Sequence, residues 1–231
     1  MQEFSVKQSN LDFRTREAYK MLRTNIEFSG DNNKVIFITS STPSEGKSTV
    51  SFELAMSFAQ NGMKTLLIDA DTRKSVMKNR GKKGKIKYGL THYLSGKNEL
   101  KDVICVSDVP NFCMIFAGPV PPNPSELVGN DRFAKMVEEA RATFDMIIID
   151  DIIPNFEIDS FTKEIIKDQN GILNYIKKQA KYNITTIIMV TPNNKKIEEQ
   201  YIKYGFNAYI IKPVNKENID KVLNKYFKTK E

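Results

Sequence analysis

The stretch KVIFITSSTPSEGKSTVSFELAMSFAQNG, residues 34–62, decides the fold. It opens on an apolar run of β-formers, VIFIT, which predicts a buried strand. It closes on a long helical pattern that stops at Gly62, a common helix-ending residue. Between the two, Ser41 to Ser48 reads S-x-x-x-x-G-K-S, a P-loop with Ser in place of the first Gly. The chemistry needs this layout. Backbone N–H groups of a tight loop point inward at phosphate oxygens, and the helix N-terminus adds positive potential. Gly46 lets the backbone approach, Lys47 reaches the terminal phosphates, and the Ser48 hydroxyl can ligate magnesium. Ser41, Thr42, Pro43, Ser44, Glu45 and Thr49 complete the candidate phosphate-contacting set.

Two later strand ends carry acid. In LLIDADTR, residues 66–73, Asp69 and Asp71 end the next strand. Alternate residues of an extended strand point the same way, so this pair suits magnesium or a general base. A solvated strand end whose acids cap a helix is the plainer alternative. Arg73 can contact phosphate or pair with an acid. In FDMIIIDDIIPN, residues 144–155, a strand ends in Asp150 and Asp151. Such a strand serves one of two chemistries: the magnesium side of a nucleotide site, or an aspartate that itself receives a phosphoryl group.

The rest of the chain fits around these strands. It has 231 residues, 40% of them hydrophobic, enough for one large α/β domain or two small ones. Apolar positions Ala18, Met21, Leu22 and Ile26 give residues 14–28 helical spacing. Residues 72–87 are basic and glycine-bearing and read as a loop. Short helices follow around GLTHYLSG and NELKDVI, then a strand FCMIFAG and a helix in SELVGNDRFAKMVEEARATF. Beyond residue 150 come helices near 158–167 and 171–181, a strand TTIIMVT, a helix KKIEEQYIKYG, a strand AYIIKP and a final helix KENIDKVLNKYF. Alternating strands and helices with short connections predict an α/β, three-layer sandwich with a mostly parallel sheet.

The formal charge of +7 suits nucleic acid, an anionic surface or phosphate-bearing substrates. No recognition-helix motif or aromatic platform accompanies the basic run at 73–87, which argues against nucleic acid. Two cysteines and one histidine without ligand spacing argue for reduced, structural thiols. No apolar run approaches the ~20 residues of a membrane span, and the N-terminus lacks a signal-peptide core. The expected location is the cytoplasm.

Four motifs then converge: EAYKMLRTNI, SSTPSEGKST, LLIDADTRK with the later GLTHYLSG, and AGPVPPNPSELVGNDRF, closed by FDMIIID. Through them residues 13–150 resemble the P-loop tyrosine kinases that control bacterial capsule and exopolysaccharide synthesis. The resemblance implies a site for ATP or ADP with Mg2+. Lys47, Asp69 and Asp71 would be catalytic, with Asp69 the base toward a tyrosine hydroxyl. Ser48, Asp71 and Asp150 would hold the metal, and residues 41–49 with Arg73 the nucleotide. It also implies tyrosine-bearing protein substrates, subunit contacts through Glu17, Lys20 and Arg23, and a membrane activator that would hold the protein at the membrane periphery. Lys20 stands where that family has Arg, and T-P-P after the Walker B aspartate is replaced by DIIPN.

Residues 145–227 resemble instead the back half of a response-regulator receiver domain. IIIDDIIPN resembles a phosphoacceptor strand and its proline turn, with Asp150 as acceptor. Thr191 matches the switch hydroxyl, Tyr209 the switch aromatic, and Lys212-Pro213 the cation that contacts the acyl phosphate. The combined expectation is one hybrid domain over residues 1–231. A P-loop kinase-like front (1–150) is joined to a flavodoxin-like receiver back half (151–231), and the two share the Asp150 strand. Its function would be tyrosine phosphorylation, a phosphorelay, or neither, if the join left no working site.

Overall fold

The computed structural model describes residues 1–7, 9–28, 34–40, 46–84, 86–124, 127, 131–150, 184–190, 207–211 and 217–218. Nine strands are described: β1 Gln2–Val6, β2 Val35–Ser40, β3 Thr65–Asp69, β4 Gly81–Lys83, β5 Cys105–Ser107, β6 Phe112–Ile115, β7 Met146–Asp150, β8 Ile184–Val190 and β9 Ala208–Ile211. The helices described in full are α1 Phe13–Phe28, α2 Lys47–Gln60, α3 Leu90–Leu94, α4 Leu100–Val103 and α5 Asp131–Arg141, with a 3-10 turn at Met77–Arg80.

The strands form one sheet in the order β4-β1-β5-β6-β3-β7-β2-β8-β9. The pairs β1–β4 and β5–β6 are antiparallel. The other pairings are parallel. Every residue of β3 and β7 is buried, as expected of strands covered on both faces. Alternation sorts them. Ile36, Ile38, Leu67, Met146 and Ile148 pack on the side of α1 and α2. Val35, Phe37, Leu66, Ile68, Ile147 and Ile149 pack with residues of α3 and α5. The helix–sheet–helix layering read from the sequence is therefore present.

Two helix boundaries have clear local causes. At the start of α1, Asp12 Oδ1 accepts the Thr15 N–H at 3.0 Å and Oδ2 accepts the Thr15 hydroxyl at 2.6 Å. These bonds hold the Asp12 carboxyl below its usual range. At the end of α2, Gly62 adopts φ +88° and its N–H donates to Ala59 O at 3.0 Å, so the stop read at Gly62 is the observed one. Between these ends α1 lies on α2 through Ala18, Tyr19, Leu22 and Ile26.

The structure departs from the sequence reading at three places. Residues 2–6, given no element, form β1, which pairs with both β4 and β5. The basic loop at 72–87 contains the 3-10 turn and β4. Most consequentially, β8 pairs with β2 in register from Val35↔Ile184 to Ser40↔Met189. A flavodoxin-like sheet has the order 2-1-3-4-5, in which the strand after the phosphoacceptor strand lies directly beside it. Here the P-loop strand β2 stands between β7 and β8. The receiver-type order expected of the back half is therefore not the one formed. The helices read at 158–167, 171–181 and in KKIEEQYIKYG lie outside the described residues, as does all of the final helix except Glu217 and Asn218.

Candidate nucleotide site

The site forms where β2, β3 and β7 end side by side. Parallel pairing puts Ile38 level with Asp150 and Asp150 level with Asp69. The Ala70 N–H closes this edge by donating to Asp150 O at 2.8 Å. The C-terminal edge of an open α/β sheet is the usual place for a ligand crevice.

α2 begins beside this edge. Gly46 precedes it at φ +83°, ψ 8°, and accepts the Thr49 and Val50 N–H groups, each at 3.0 Å. A Cβ at Gly46 would meet nothing within 4 Å, so the glycine is demanded by its left-handed backbone rather than by crowding from the protein. Lys47 follows. Its ammonium lies 3.0 Å from Asp150 Oδ1, with the two side chains 4% and 0% exposed. One turn on, the Ser51 hydroxyl donates to Asp150 Oδ1 at 2.9 Å and lies 3.1 Å from Lys47 O.

Three polar atoms at this junction are buried without a hydrogen-bond partner: Lys47 Nζ, Asp69 Oδ1 and Asp150 Oδ2. Lys47 Nζ has its ion pair but no well-aligned bond. Such atoms are rare in folded proteins and call for a reason. A phosphate-bearing ligand with a divalent cation supplies one. Phosphate oxygens take the ammonium donors, and the cation with its waters takes carboxylate oxygens. Among the described residues no group of three or more His, Cys, Asp or Glu converges on a metal position.

Asp69 is fully buried. Its Oδ2 accepts the Ser75 hydroxyl in a short bond and the Ala117 N–H at 3.4 Å. Burial pushes its carboxyl up to about 7. The Ser75 bond opposes the rise, the Asp150 charge adds to it, and the Lys47 charge opposes it. Ala117 is held in place from behind by α3, whose Leu90 and Thr91 N–H groups donate to Phe116 O and Ala117 O at 2.7 and 3.0 Å. This approach requires glycine twice. A Cβ on Gly89 would lie 2.4 Å from Phe116 O. One on Gly118, at φ +89°, would lie 2.5 Å from Thr91 Oγ1.

The structure thus brings Gly46, Lys47, Asp69 and Asp150 together, with Ser48 and Thr49 in the first turn of α2. Asp71 departs from the reading. β3 ends at Asp69, so Asp71 is not its strand-mate. It lies in a turn, buried, and its Oδ1 accepts the Arg73 N–H at 3.3 Å and the Lys74 N–H at 2.9 Å. Arg73 is exposed on that turn. Ser41, Thr42, Pro43, Ser44 and Glu45, and the receiver-type Thr191 and Lys212, lie outside the described residues. Tyr209 is 6% exposed and packs in the core. On α1, Lys20 and Glu17 pair with each other at 2.7 Å. Arg23 is turned onto α2, donating to Ser57 O at 2.9 Å.

Sequence reasoning missed Ser51, Ser75 and the Ala117 N–H. Ser51 was findable, because it lies four residues after Lys47 on the same helix face. Ser75 and Ala117 carry no spacing signal, since a turn and a separate strand bring them to Asp69.

Comparison with known proteins agrees with this geometry. The model of the AAA domain family matches residues 33–168. The chain is 54% identical over 138 residues to the tyrosine-protein kinase CpsD of Streptococcus agalactiae, covering 59% of this chain and 60% of that one. It therefore spans only about 60% of that curated relative's length. Among solved structures, the kinase domain of the Escherichia coli tyrosine kinase ETK superposes with TM-score 0.64 at 28% identity, covering 89% of this chain and 81% of that one. The chimerical protein CapA2B2 superposes with TM-score 0.65 at 25% identity, over 90% and 92%. These structural matches cover more of the chain than the sequence match does. Among the described residues no helix is long and apolar enough to cross a membrane. With its matched family model, its sheet and its Lys47–Asp150 junction in agreement, the chain belongs to the AAA domain family.

Proposed function

We propose that this chain binds Mg2+–ATP and transfers its terminal phosphoryl group to protein tyrosine, in the control of capsule or exopolysaccharide synthesis. The observation that carries the reading is the buried Lys47–Asp150 pair beside Asp69, with Nζ, Oδ1 of Asp69 and Oδ2 of Asp150 lacking hydrogen-bond partners. When bound, Mg2+–ATP supplies the electrophilic phosphorus and the charge that offsets its leaving group.

The chain's own residues do the rest. The N–H groups of Lys47 and Ser48 at the start of α2 and the Lys47 ammonium bind phosphate oxygens, and residues 41–45 would complete the cradle. Ser48, Asp150 and Asp71 would hold the cation. Lys47 trades its contact with Asp150 for phosphate, which leaves Asp150 Oδ1 with the Ser51 hydroxyl and Oδ2 open to the cation. Asp69, raised to about 7, takes the tyrosine hydroxyl proton on its unpartnered Oδ1 at neutral pH. Ser75 and the Ala117 N–H hold its other oxygen and so orient the base.

Residues 1–231 act as one domain in this reading, because β8 and β9 continue the sheet from β2. A membrane activator would place the protein at the membrane periphery from the cytoplasm. Self-association through α1 would use Glu17 and Lys20 more than Arg23, which is committed to α2. The alternative, in which Asp150 accepts a phosphoryl group beside Thr191 and Lys212, draws no support from the strand order.

The test is calorimetric binding of Mg2+–ADP, followed by phosphorylation of a tyrosine-bearing peptide. Binding by wild type and its loss in Lys47→Ala support the reading. Binding that survives Lys47→Ala sinks the phosphate cradle. Mg2+–beryllofluoride binding that survives Lys47→Ala but not Asp150→Asn would favour the relay instead.

A further inference from the structure

The segment read as a basic loop places one cation against the first turns of α2. Arg80 ends the 3-10 turn Met77–Arg80. Its Nη2 donates to Thr49 Oγ1 at 2.7 Å. Its Nη1 lies 3.7 Å from Glu53 Oε1, and the guanidinium centre lies 5.0 Å from the Phe52 ring centroid. Thr49, Phe52 and Glu53 are spaced i, i+3, i+4 and so share one face of the helix. The Arg80 backbone is held from behind, since its carbonyl accepts the Lys7 N–H at 2.7 Å. One side chain therefore grips α2 at three points and is tied to the chain leaving β1.

We propose that Arg80 is a positioning residue for the nucleotide site, fixing the Thr49 side chain and through it the first turn of α2. The inference rests on the nucleotide reading above. Thr49 follows Lys47 and Ser48 directly, and its N–H bonds Gly46 O at 3.0 Å. A tilt of this turn moves the N–H groups, the Ser48 hydroxyl and the Lys47 stem together. The hydrogen bond is charge-assisted, and the Arg80 side chain is only 24% exposed. The contact to Glu53 is equally sheltered, because Glu53 is 6% exposed. Burial raises the Glu53 carboxyl, and Ser9 and Arg80 draw it back toward its charged form. A lysine cannot reproduce this geometry, because its single ammonium lacks the planar fork that reaches Thr49 and Glu53 at once.

Mg2+–ADP affinity is measured by calorimetry on the full chain for wild type, Lys47→Ala, Arg80→Met, Arg80→Lys, Thr49→Val, Thr49→Ser and the double variant Arg80→Met/Thr49→Val. Unliganded melting is recorded for each. Arg80→Met and Thr49→Val are each expected to weaken ADP by about three- to tenfold. The double variant is expected to lose no more than the worse single, because both remove the same contact. Thr49→Ser keeps the acceptor and loses less than Thr49→Val, while Arg80→Lys falls between wild type and Arg80→Met. A merely structural Arg80 would lower unliganded melting without this coupling. Losses that multiply in the double variant, or wild-type affinity in both Arg80 variants, would overturn the positioning role while wild-type binding and Lys47→Ala still uphold the site. If Arg80→Met does not fold, Arg80→Lys in the Thr49→Val background decides the coupling. Failure of wild type to bind ADP would instead overturn the nucleotide reading, and this proposal with it.

Discussion

Replacing Asp69 with Asn should make the protein more stable, and increasingly so as pH rises. The carboxyl of Asp69 is fully buried and titrates near 7, against an ordinary value of 3.8. In the unfolded chain the same group ionises near 3.8. Between these two values the unfolded chain holds fewer protons than the folded one, so raising pH favours unfolding. The loss begins above about 4 and levels off above about 7. Each pH unit between the two values costs about 1.4 kcal/mol, so Asp69 destabilises by about 4 kcal/mol once fully ionised. Between pH 5 and pH 8 the change is about 2–3 kcal/mol. Asn keeps an acceptor for the Ser75 hydroxyl and the Ala117 N–H but has no charge to desolvate. Urea unfolding of both proteins at pH 5, 6, 7 and 8 gives the comparison, and titrations elsewhere largely cancel in the difference. The stability gain of Asp69→Asn should widen by about 2–3 kcal/mol across that range. A constant difference would refute the claim that burial holds Asp69 protonated, and with it the tuning of this residue as a base near neutral pH.

Three further outcomes follow from the geometry. Lys47→Ala leaves Asp150 buried without its counter-charge and should lower stability by about 3–5 kcal/mol in urea unfolding, besides abolishing the rise in melting temperature with Mg2+–ADP. Ser51→Ala removes a bond to the buried Asp150 carboxyl and should cost about 1–3 kcal/mol by the same measurement. Gly118→Ala meets both a left-handed backbone and the Thr91 hydroxyl, so a loss of at least about 1–3 kcal/mol is expected, with the proposed tyrosine phosphorylation falling as Ala117 is displaced from Asp69.

How much of this was legible depended on whether the cause was local. The strand and helix within residues 34–62 were readable because apolar periodicity, a glycine stop and the G-K-S start of α2 all act within one short window. Asp69 and Asp150 were readable as strand-terminal acids for the same reason. Asp71 was misplaced because alternation holds only while the chain stays extended. The Arg73 and Lys74 N–H groups instead turn the chain around its carboxylate. β1 shows only Phe4 and Val6 as buried alternates and is defined by partners about a hundred residues away, so no local pattern announces it. The back half shows the same limit more sharply. Its strands β8 and β9 were found, yet likeness of motif suggested a receiver order while the sheet put β2 between β7 and β8. Motif spacing records which residues end strands, but it does not record which strand lies next to which.

The position of β2 bears on how this protein is made. β2 has β7 on one side and β8 on the other, and neither neighbour is close in sequence. On the ribosome, β2 emerges before either partner and waits for both. β7 arrives roughly a hundred residues later and β8 later still, and such long-range parallel pairings form slowly. Until residues 184–189 dock, one row of β2 backbone donors and acceptors stays open to any other extended chain. The strand end at Ser40 is secured late, although its sequence is translated well before those of its two partners. Nucleotide, by binding the finished strand end and not the waiting one, would favour the chains in which that late pairing has taken place.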